Sequence, residues 1–234
     1  MVKKIIILVV LLVLAMMFWN MFSGIPVQNV LPEVSEYYAK NEPAEVGAAN
    51  LVTAVVVTYR GLDTLGEVSI LFLSAAIVGL LLGFQSKTEK RKLRKTSELL
   101  LTAAKILTPV IVMLGVYVFI NGHLTPGGGF QGGAIIAAAL VLALMADPLR
   151  KISHGFISFV ESTSGFIFVF IGILEIFLAG GFLDNSILPL GEFGAILSAG
   201  AIPIIYSFIG LKVGAELSSI VSNMQEAQNI TEYE

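Results

Sequence analysis

The sequence predicts an all-α polytopic membrane protein with about six transmembrane helices and one short re-entrant or interfacial helix. Of its 234 residues, 56% are hydrophobic and 13% are charged, whereas about a quarter are charged in soluble domains. The apolar residues form long runs, and the charged residues collect in the gaps between them. About 20 consecutive apolar residues cross a bilayer as a helix, so runs of this length predict spans.

Six runs have the length and composition of membrane spans. They cover residues 4–22, 65–84, 98–120, 131–147, 156–180 and 193–216. The first run lacks the small-residue cleavage site of a signal peptide, so we predict an uncleaved anchor. The apolar stretch 46–59 is too short to span a membrane. We predict that it is a re-entrant or interfacial helix, broken at Arg60 and Gly61.

Basic residues between the spans predict the orientation of the chain. The loop 85–97 has six basic residues against Glu89 alone, and the loop 148–155 has Arg150 and Lys151. Acidic residues predominate in the alternate loops, 23–45 and 181–192. Because Lys and Arg are enriched in cytoplasmic loops, we predict a multi-pass protein of the cell membrane with both termini in the cytoplasm.

The composition also excludes several functions. The chain has no cysteine, which excludes disulfides, thiolate-bound zinc, iron–sulfur ligation and cysteine nucleophiles on this chain. His123 and His154 are too few for a haem or zinc site, and the net charge of −3 suggests no nucleic-acid partner. We therefore predict no cofactor, no metal site and no catalytic residue here, with the lipid bilayer as a partner.

A glycine-rich segment, Asn121–Gly133, separates the third and fourth predicted spans. It matches Gly-x-Gly-x-x-Gly, but apolar helices flank it and not the strand and helix of a dinucleotide site. Gly129, Gly133 and Ala137 recur every four residues, which favours close packing against another helix over direct ion handling. The predicted packing and assembly residues are Pro126, Gly127, Gly128, Gly129, Phe130, Gly132 and Gly133.

Two segments resemble subunits of the Mrp-type (multisubunit) sodium/proton antiporters. Residues 122–133 carry the Gly-His-x-x-Pro-Gly-Gly-Gly-Phe-x-Gly-Gly pattern typical of the MrpB subunit. Residues 57–67, Val-Thr-Tyr-Arg-Gly-Leu-Asp-Thr-Leu-Gly-Glu, resemble the C-terminal part of MrpA, which is similar to the E-type membrane subunit of hydrogenases. Thr58 stands where that family often has an aspartate, so any role of that carboxylate is absent.

The resemblance implies a fusion of two units joined by a linker. These are an MrpA C-terminal-like two-span unit at 1–85, a basic cytoplasmic linker at 86–95 and an MrpB-like four-span unit at 96–234. The implied protein is a non-catalytic component of a sodium/proton antiporter module. It would act in ion translocation and assembly together with other Mrp-like membrane subunits.

Two alternatives to this function remain open. Homologous pieces occur in archaeal membrane-bound hydrogenase and sulfur-reducing respiratory complexes. The same module would there be coupled to a peripheral nickel–iron or iron–sulfur redox arm on other chains. The second alternative is a purely structural scaffold subunit.

Charged residues within or next to the spans are the candidates for an ion pathway, because charges in a membrane are costly and mark function. The candidates are Asp63, Glu67, Lys105, His123, Glu161 and Glu175. In a helix, Arg60, Asp63 and Glu67 would share one face, and we expect Glu67 to lie deepest. The alternative for this group is an interfacial salt bridge.

The other candidates also have structural alternatives. Lys105 could relay protons or snorkel to the cytoplasmic surface, and His123, at the outer mouth, could exchange protons or only bond the backbone. Glu161 and Glu175 share a helix face and suggest two stations of a path, unless each pairs with a basic residue of another subunit.

The charged residues of the last predicted span are interpreted as structural. Glu192 begins this span, and Lys212 and Glu216 form an i, i+4 pair at its cytoplasmic end. Pro203 is expected to kink it, and the polar tail 222–234 is expected to be frayed.

Overall fold

The computed structural model describes residues 2–24, 31–84, 91–93, 96–150, 152–227 and 230–233. Most of the predicted basic linker, 86–95, lies outside the described residues, as does Lys151. The chain forms two compact units, Met1–Tyr37 and Tyr38–Glu234. These units divide the chain at a different place from the two family-like units predicted above.

The first unit contains helix α1, Val2–Ser23, and the beginning of α2, Glu33–Glu45. The apolar residues of α1 follow one another without the polar face of an amphipathic helix, and its side chains are exposed. This is the pattern of a helix that lies in lipid or against other membrane helices.

The second unit begins with the rest of α2, which a short helical segment follows before the next span. Helix α3, Leu51–Thr53, starts at Asn50, whose side chain accepts a hydrogen bond from the Val52 N–H at 3.2 Å. It continues as a π-helix, Ala54–Tyr59, and the chain turns at Arg60 before helix α4, Gly61–Phe84. The predicted short helix, broken at Arg60, is therefore present, and its depth in the membrane stays a prediction.

Four further long helices complete the second unit. They are α5, Glu98–Ile120; α6, Gly129–Ala146; α7, His154–Leu178; and α8, Ile202–Ala227. Ser97 and Ser153 cap α5 and α7 by accepting backbone N–H bonds from Leu100 and Phe156, each at 3.3 Å. A short 3₁₀-helix, Asn185–Ile187, lies between α7 and α8, and strands β1, Arg91–Leu93, and β2, Ile230–Tyr233, pair in parallel.

The predicted fold class is confirmed. Among the described residues, α1, α4, α5, α6, α7 and α8 are long and apolar enough to cross a membrane. The third predicted span, 98–120, coincides with α5. The protein is a multi-pass, all-helical membrane protein apart from the two short strands.

The bounds of the last predicted span were wrong. Residues 193–201 form turns, because Gly191, Gly194, Ala199 and Gly200 all adopt positive φ angles that end a helix. Glu192 therefore lies in a loop, well before the start of α8 at Ile202. The run is apolar enough to resemble a span, but its glycines make it a loop.

Helix α8 also corrects three other expectations. Pro203 lies in its first turn, where the backbone N–H has no partner within the helix in any case, so the predicted kink is wrong. Residues 222–227 are helical and not frayed, because α8 continues to Ala227. Lys212 and Glu216 consequently lie near the middle of the helix and not at its end.

Helix α8 is the central helix of the second unit and contacts α4, α5, α6 and α7. Its apolar side chains Ile202, Ile205, Ile209 and Val213 are almost completely buried in the core. One face of α8 thus packs the core, and the region around Lys212 faces a cleft described below.

Candidate functional site

The glycine segment forms the turn between α5 and α6. Gly127 and Gly128 have φ angles of 150° and 151°, in the region that side-chain-bearing residues rarely adopt. A Cβ on Gly127 would come within 2.9 Å of Val118 Cγ1. The glycines are therefore required by both the backbone angles and the close approach of α5, while Pro126 in the same turn is exposed.

The glycines of α6 lie against the neighbouring helices of this same chain. A Cβ on Gly129 would come within 2.6 Å of Ile209 Cγ2, and one on Gly133 within 2.7 Å of the Gly210 carbonyl oxygen, both on α8. A Cβ on Gly132 would lie 2.6 Å from the Gly115 carbonyl oxygen on α5. Phe130 packs against the core as a partly buried side chain.

The short helix α3 holds this glycine turn in place. Asn50 Nδ2 donates hydrogen bonds to the carbonyl oxygens of Gly122, at 2.9 Å, and Thr125, at 3.0 Å. Thr53 Oγ1 donates to the same Gly122 oxygen at 2.6 Å and accepts from Tyr206 Oη at 3.2 Å. Backbone carbonyls of the turn are thus bonded to protein groups.

His123 is completely buried in this turn and not open at the surface. Its Nε2 lies 3.4 Å from the Ala195 carbonyl oxygen, and its own carbonyl accepts from the Asn50 N–H at 2.9 Å. Burial lowers the pKa of His123 from its ordinary value, and backbone hydrogen bonds oppose this only in part. The ring is therefore neutral near pH 7 and lies inside the protein.

The predicted cluster at the start of α4 is on the surface of this chain. Arg60 and Asp63 form an ion pair, and both side chains are more than half exposed. Glu67, one turn further along α4, is exposed as well. Lys105 likewise lies exposed on α5. These residues face whatever surrounds the chain in the membrane.

Glu175, near the end of α7, is completely buried. Neither of its carboxylate oxygens has a hydrogen-bond partner among the residues that the structure describes. Asp184, in the following loop, acts on it electrostatically. A buried acidic group without a partner is costly and is a typical feature of a functional position.

A cleft of about 480 Å³ lies between α4, α7 and α8. Aromatic and aliphatic side chains form most of its wall. Its polar lining residues are Ser69, Glu161, Ser162 and Lys212. Glu161 is half-buried, and both serines are exposed, so the cleft opens at the surface of the chain.

An ion pair lies at the α8 side of this cleft. Lys212 Nζ is 2.6 Å from Glu216 Oε1, and the side chains are 11% and 0% exposed. Lys212 Nζ also lies 5.0 Å from the centre of the Phe72 ring on α4, a cation–π contact. A Cβ on Gly165 would come within 3.0 Å of Lys212 Cδ, so this glycine of α7 makes room for the lysine.

Of the predicted pathway residues, Glu161 alone lines the cleft with Lys212. The sequence analysis placed Lys212 and Glu216 at the end of a helix because the last span was taken to end at residue 216. The sequence Ile-Gly-Leu-Lys-Val-Gly-Ala-Glu-Leu, 209–217, contained a usable signal, since both charges stand within an apolar, glycine-containing helix.

The fold and the site define a polytopic membrane protein that carries a buried acid–base pair within a bundle of spanning helices. The family model "Domain related to MnhB subunit of Na+/H+ antiporter" matches residues 99–219. The MbhE model, which describes the E component of MBH, matches residues 3–97. The chain belongs to the family of MnhB-related antiporter domains, here joined to an MbhE-like region.

Two relatives extend this result. An uncharacterized protein of Methanocaldococcus jannaschii is 32% identical over 198 residues, which are 73% of this chain and 74% of that protein. A probable K⁺/H⁺ antiporter A/B subunit of Rhizobium meliloti is 31% identical over 149 residues, which are 53% of this chain. The match spans only 15% of the Rhizobium protein.

Two solved structures are similar over almost the whole chain. One is a chain of the membrane-bound sulfane sulfur reductase, an archaeal respiratory membrane complex, with 40% identity and a TM-score of 0.81. That match covers 96% of this chain and 98% of the other. The second is a chain of the Mrp complex from Dietzia sp. DQ12-45-1b, with 24% identity and a TM-score of 0.74. The match covers 95% of this chain and 26% of the other, and it shows the same fold.

Proposed function

We propose that the chain is a non-catalytic membrane component of an Mrp-type cation/proton antiporter module, in which it contributes to ion translocation and to assembly. The observation that carries this proposal is the buried Lys212–Glu216 pair beside Glu161 in an open cleft. Charged groups at membrane depth are costly, and in transport proteins they line ion paths. A scaffold alone would gain nothing from such a pair, since apolar residues could fill the same space.

The position of the cleft supports a joint role for the two family regions. Helix α4 belongs to the region matched by the MbhE model, and α7 and α8 belong largely to the region matched by the MnhB model. Phe72 from the first region contacts Lys212 from the second. The site therefore needs both regions, which gives a physical reason for their presence on one chain.

The exposed charged residues support assembly with other membrane subunits, and the two structural neighbours are both multisubunit membrane complexes. Asp63, Glu67 and Lys105 are exposed on this chain at or near spanning helices. Lipid would be an unfavourable neighbour for them. We propose that partner subunits cover them, that Glu175 is a second station of the path, and that both termini are cytoplasmic.

The first test is cation/proton exchange by the intact complex in sealed vesicles. Glu161→Gln keeps the size of the side chain and removes its charge, so exchange should fall at least about tenfold at an unchanged amount of complex. Glu192→Gln, in an exposed loop, is the matched control and should exchange normally. If the two single variants Glu161→Gln and Glu216→Gln both exchange cations at the normal rate, the cleft is not an ion path.

A second candidate function is the same module within a redox-driven respiratory complex. The observation in its favour is the 40% identity across 98% of a chain of the sulfane sulfur reductase complex. Purification in mild detergent through a C-terminal tag, with mass spectrometry of the associated chains, separates the two. Nickel–iron or iron–sulfur subunits would support the redox-driven complex, and antiporter-type membrane subunits alone would support the secondary antiporter.

A further inference from the structure

We infer that the cleft between α4, α7 and α8 transfers protons and excludes sodium, because the Lys212 ammonium is itself the cation of the site. This inference rests on the proposed function and identifies the ion that the cleft handles. Three features of the structure carry it: the position of the lysine nitrogen, the small number of free oxygen ligands and the arrangement of the two carboxyl groups.

The lysine nitrogen is held where a bound metal cation would have to be. Its Nζ lies 2.6 Å from Glu216 Oε1, so the two groups form a close ion pair. The Phe72 ring, 5.0 Å away, lies against the same ammonium group from the side of α4. Gly165 leaves room for the aliphatic part of the lysine side chain, so packing against α7 helps to fix the position of the nitrogen.

The cleft offers few oxygen atoms to a second cation. Ser69 Oγ donates its proton to the Leu65 carbonyl oxygen at 2.8 Å, and its lone pairs offer a cation only one neutral ligand. Glu161 and the Ser162 hydroxyl remain on α7, and the residues of α4 that line the cleft carry no charge. Hard cations are bound by several oxygen ligands, and a fixed positive charge nearby repels them further.

Each of the two carboxyl groups is associated with the lysine in a different way. Glu161 lines the open cleft together with Lys212, and Glu216, paired with the lysine, is completely buried and does not line the cleft. Glu161 is also near enough to act electrostatically on Glu216. A proton passes from the Lys212 ammonium to the Glu216 carboxylate, leaving a neutral amine and a carboxylic acid. Glu161 takes a proton from a hydronium ion in the cleft, passes it to the amine and returns to its carboxylate form, so that the net result is one proton moved from the cleft to Glu216.

The test is to treat the purified complex with a hydrophobic carbodiimide and to measure by mass spectrometry the rate at which Glu161 is labelled. Carbodiimides modify protonated carboxyl groups, and a bound sodium ion protects a carboxylate from them. In the wild type, replacing choline chloride by sodium chloride should change the labelling rate less than about twofold, because no sodium binds. Slower labelling in sodium, or no labelling of Glu161 at all, would overturn the inference.

Two variants show whether the lysine is the cause. Lys212→Met leaves Glu161 and Glu216 without their cation, so sodium should now slow the labelling of Glu161 at least about fivefold. Lys212→Met combined with Glu216→Gln removes both charges of the pair, keeps the side-chain volumes and should remove this sodium protection. The double variant also provides a folded comparison if the single one assembles poorly. Labelling of Lys212→Met that is insensitive to sodium would contradict the role of the lysine.

This experiment can fail independently of the proposed function. If exchange in vesicles is normal in Glu161→Gln and Glu216→Gln but the labelling follows the pattern above, the ion-path proposal fails and the proton-only site remains. If exchange is lost in both variants but sodium protects wild-type Glu161, the path stands and its ion is sodium.

Discussion

The glycine turn before α6 and the cleft beside α7 differ in how closely their helices approach one another. At the turn, Gly129 and Gly133 bring α6 into direct contact with α8, and Asn50 and Thr53 bond the free carbonyls. At the cleft, the helices stand apart, and a charged pair lies beside a space of about 480 Å³. The most conspicuous sequence motif therefore lies in the closed, packed region, and the proposed ion path lies where no such motif exists.

On the proposed assignment, the family-specific motif and the ion path are separate parts of one membrane protein. Helix α8 links them, since it carries Ile209 and Gly210 against the α6 glycines and Lys212 and Glu216 beside the cleft. Substitutions in the packed region should act mainly on stability and assembly. Substitutions that replace both charges of the pair and preserve volume should act mainly on transport.

Removing one partner of the pair should have the largest effect on stability. Glu216→Ala leaves the Lys212 ammonium without its carboxylate at an almost buried position and should cost about 3–5 kcal/mol. Thermal unfolding of the purified complex measures this as a clear fall in the midpoint temperature. Lys212→Met with Glu216→Leu, which replaces both charges by apolar groups, should recover most of the loss. A double variant as unstable as Glu216→Ala would contradict this account of the pair.

Adding one methyl group in the packed region should have the next largest effect. In Gly133→Ala, the new Cβ would meet the Gly210 carbonyl oxygen at 2.7 Å and the Gly214 nitrogen at 2.8 Å, so α6 and α8 must separate. Overpacking of this kind costs about 1–3 kcal/mol. The matched control is Gly66→Ala on α4, where a Cβ meets nothing within 4 Å. Equal amounts of assembled complex in both variants would show that the packing is looser than described.

The smallest effect should be a pH dependence that comes from His123. Burial lowers the pKa of His123 in the folded state, so the unfolded chain binds this proton more readily. The free energy of unfolding should therefore fall with decreasing pH. The fall should begin at about pH 6.5, the ordinary pKa of histidine, and end near the lower pKa of the folded state. Thermal unfolding between pH 5 and 8, in about half-unit steps, would measure it. In His123→Gln this contribution should disappear, and an unchanged pH profile would argue against a buried neutral ring.

Much of the fold could be predicted from hydropathy, because lipid demands long uninterrupted apolar helices. The span 98–120 coincides with α5, since Ser97 marks its beginning and the glycine turn its end. The run 193–201 was wrongly predicted to be part of a span because its side chains are mostly apolar. Gly191, Gly194 and Gly200, which adopt positive φ angles, were the sequence signal of a loop.

The site was less predictable, because burial depends on which helices meet. The sequence could indicate Glu161 and Glu175 as charged residues within a span, but not that one lines a cleft and the other is enclosed. The i, i+4 spacing of Lys212 and Glu216 was visible, and only the true end of α8 shows that the pair lies at mid-helix. His123 was expected at an outer mouth, but it is completely buried, with contacts to Asn50 and Ala195 that are distant in the sequence.

The most direct test compares cation/proton exchange per assembled complex in Glu216→Gln and Gly133→Ala vesicles. Glu216→Gln leaves the Lys212 ammonium without its carboxylate and should give less complex, and exchange by each complex that assembles should fall at least about tenfold. Gly133→Ala should give less complex, with normal exchange by each complex that assembles. The reverse result, normal exchange per complex in Glu216→Gln and a specific loss in Gly133→Ala, would place ion handling in the glycine turn and contradict the account.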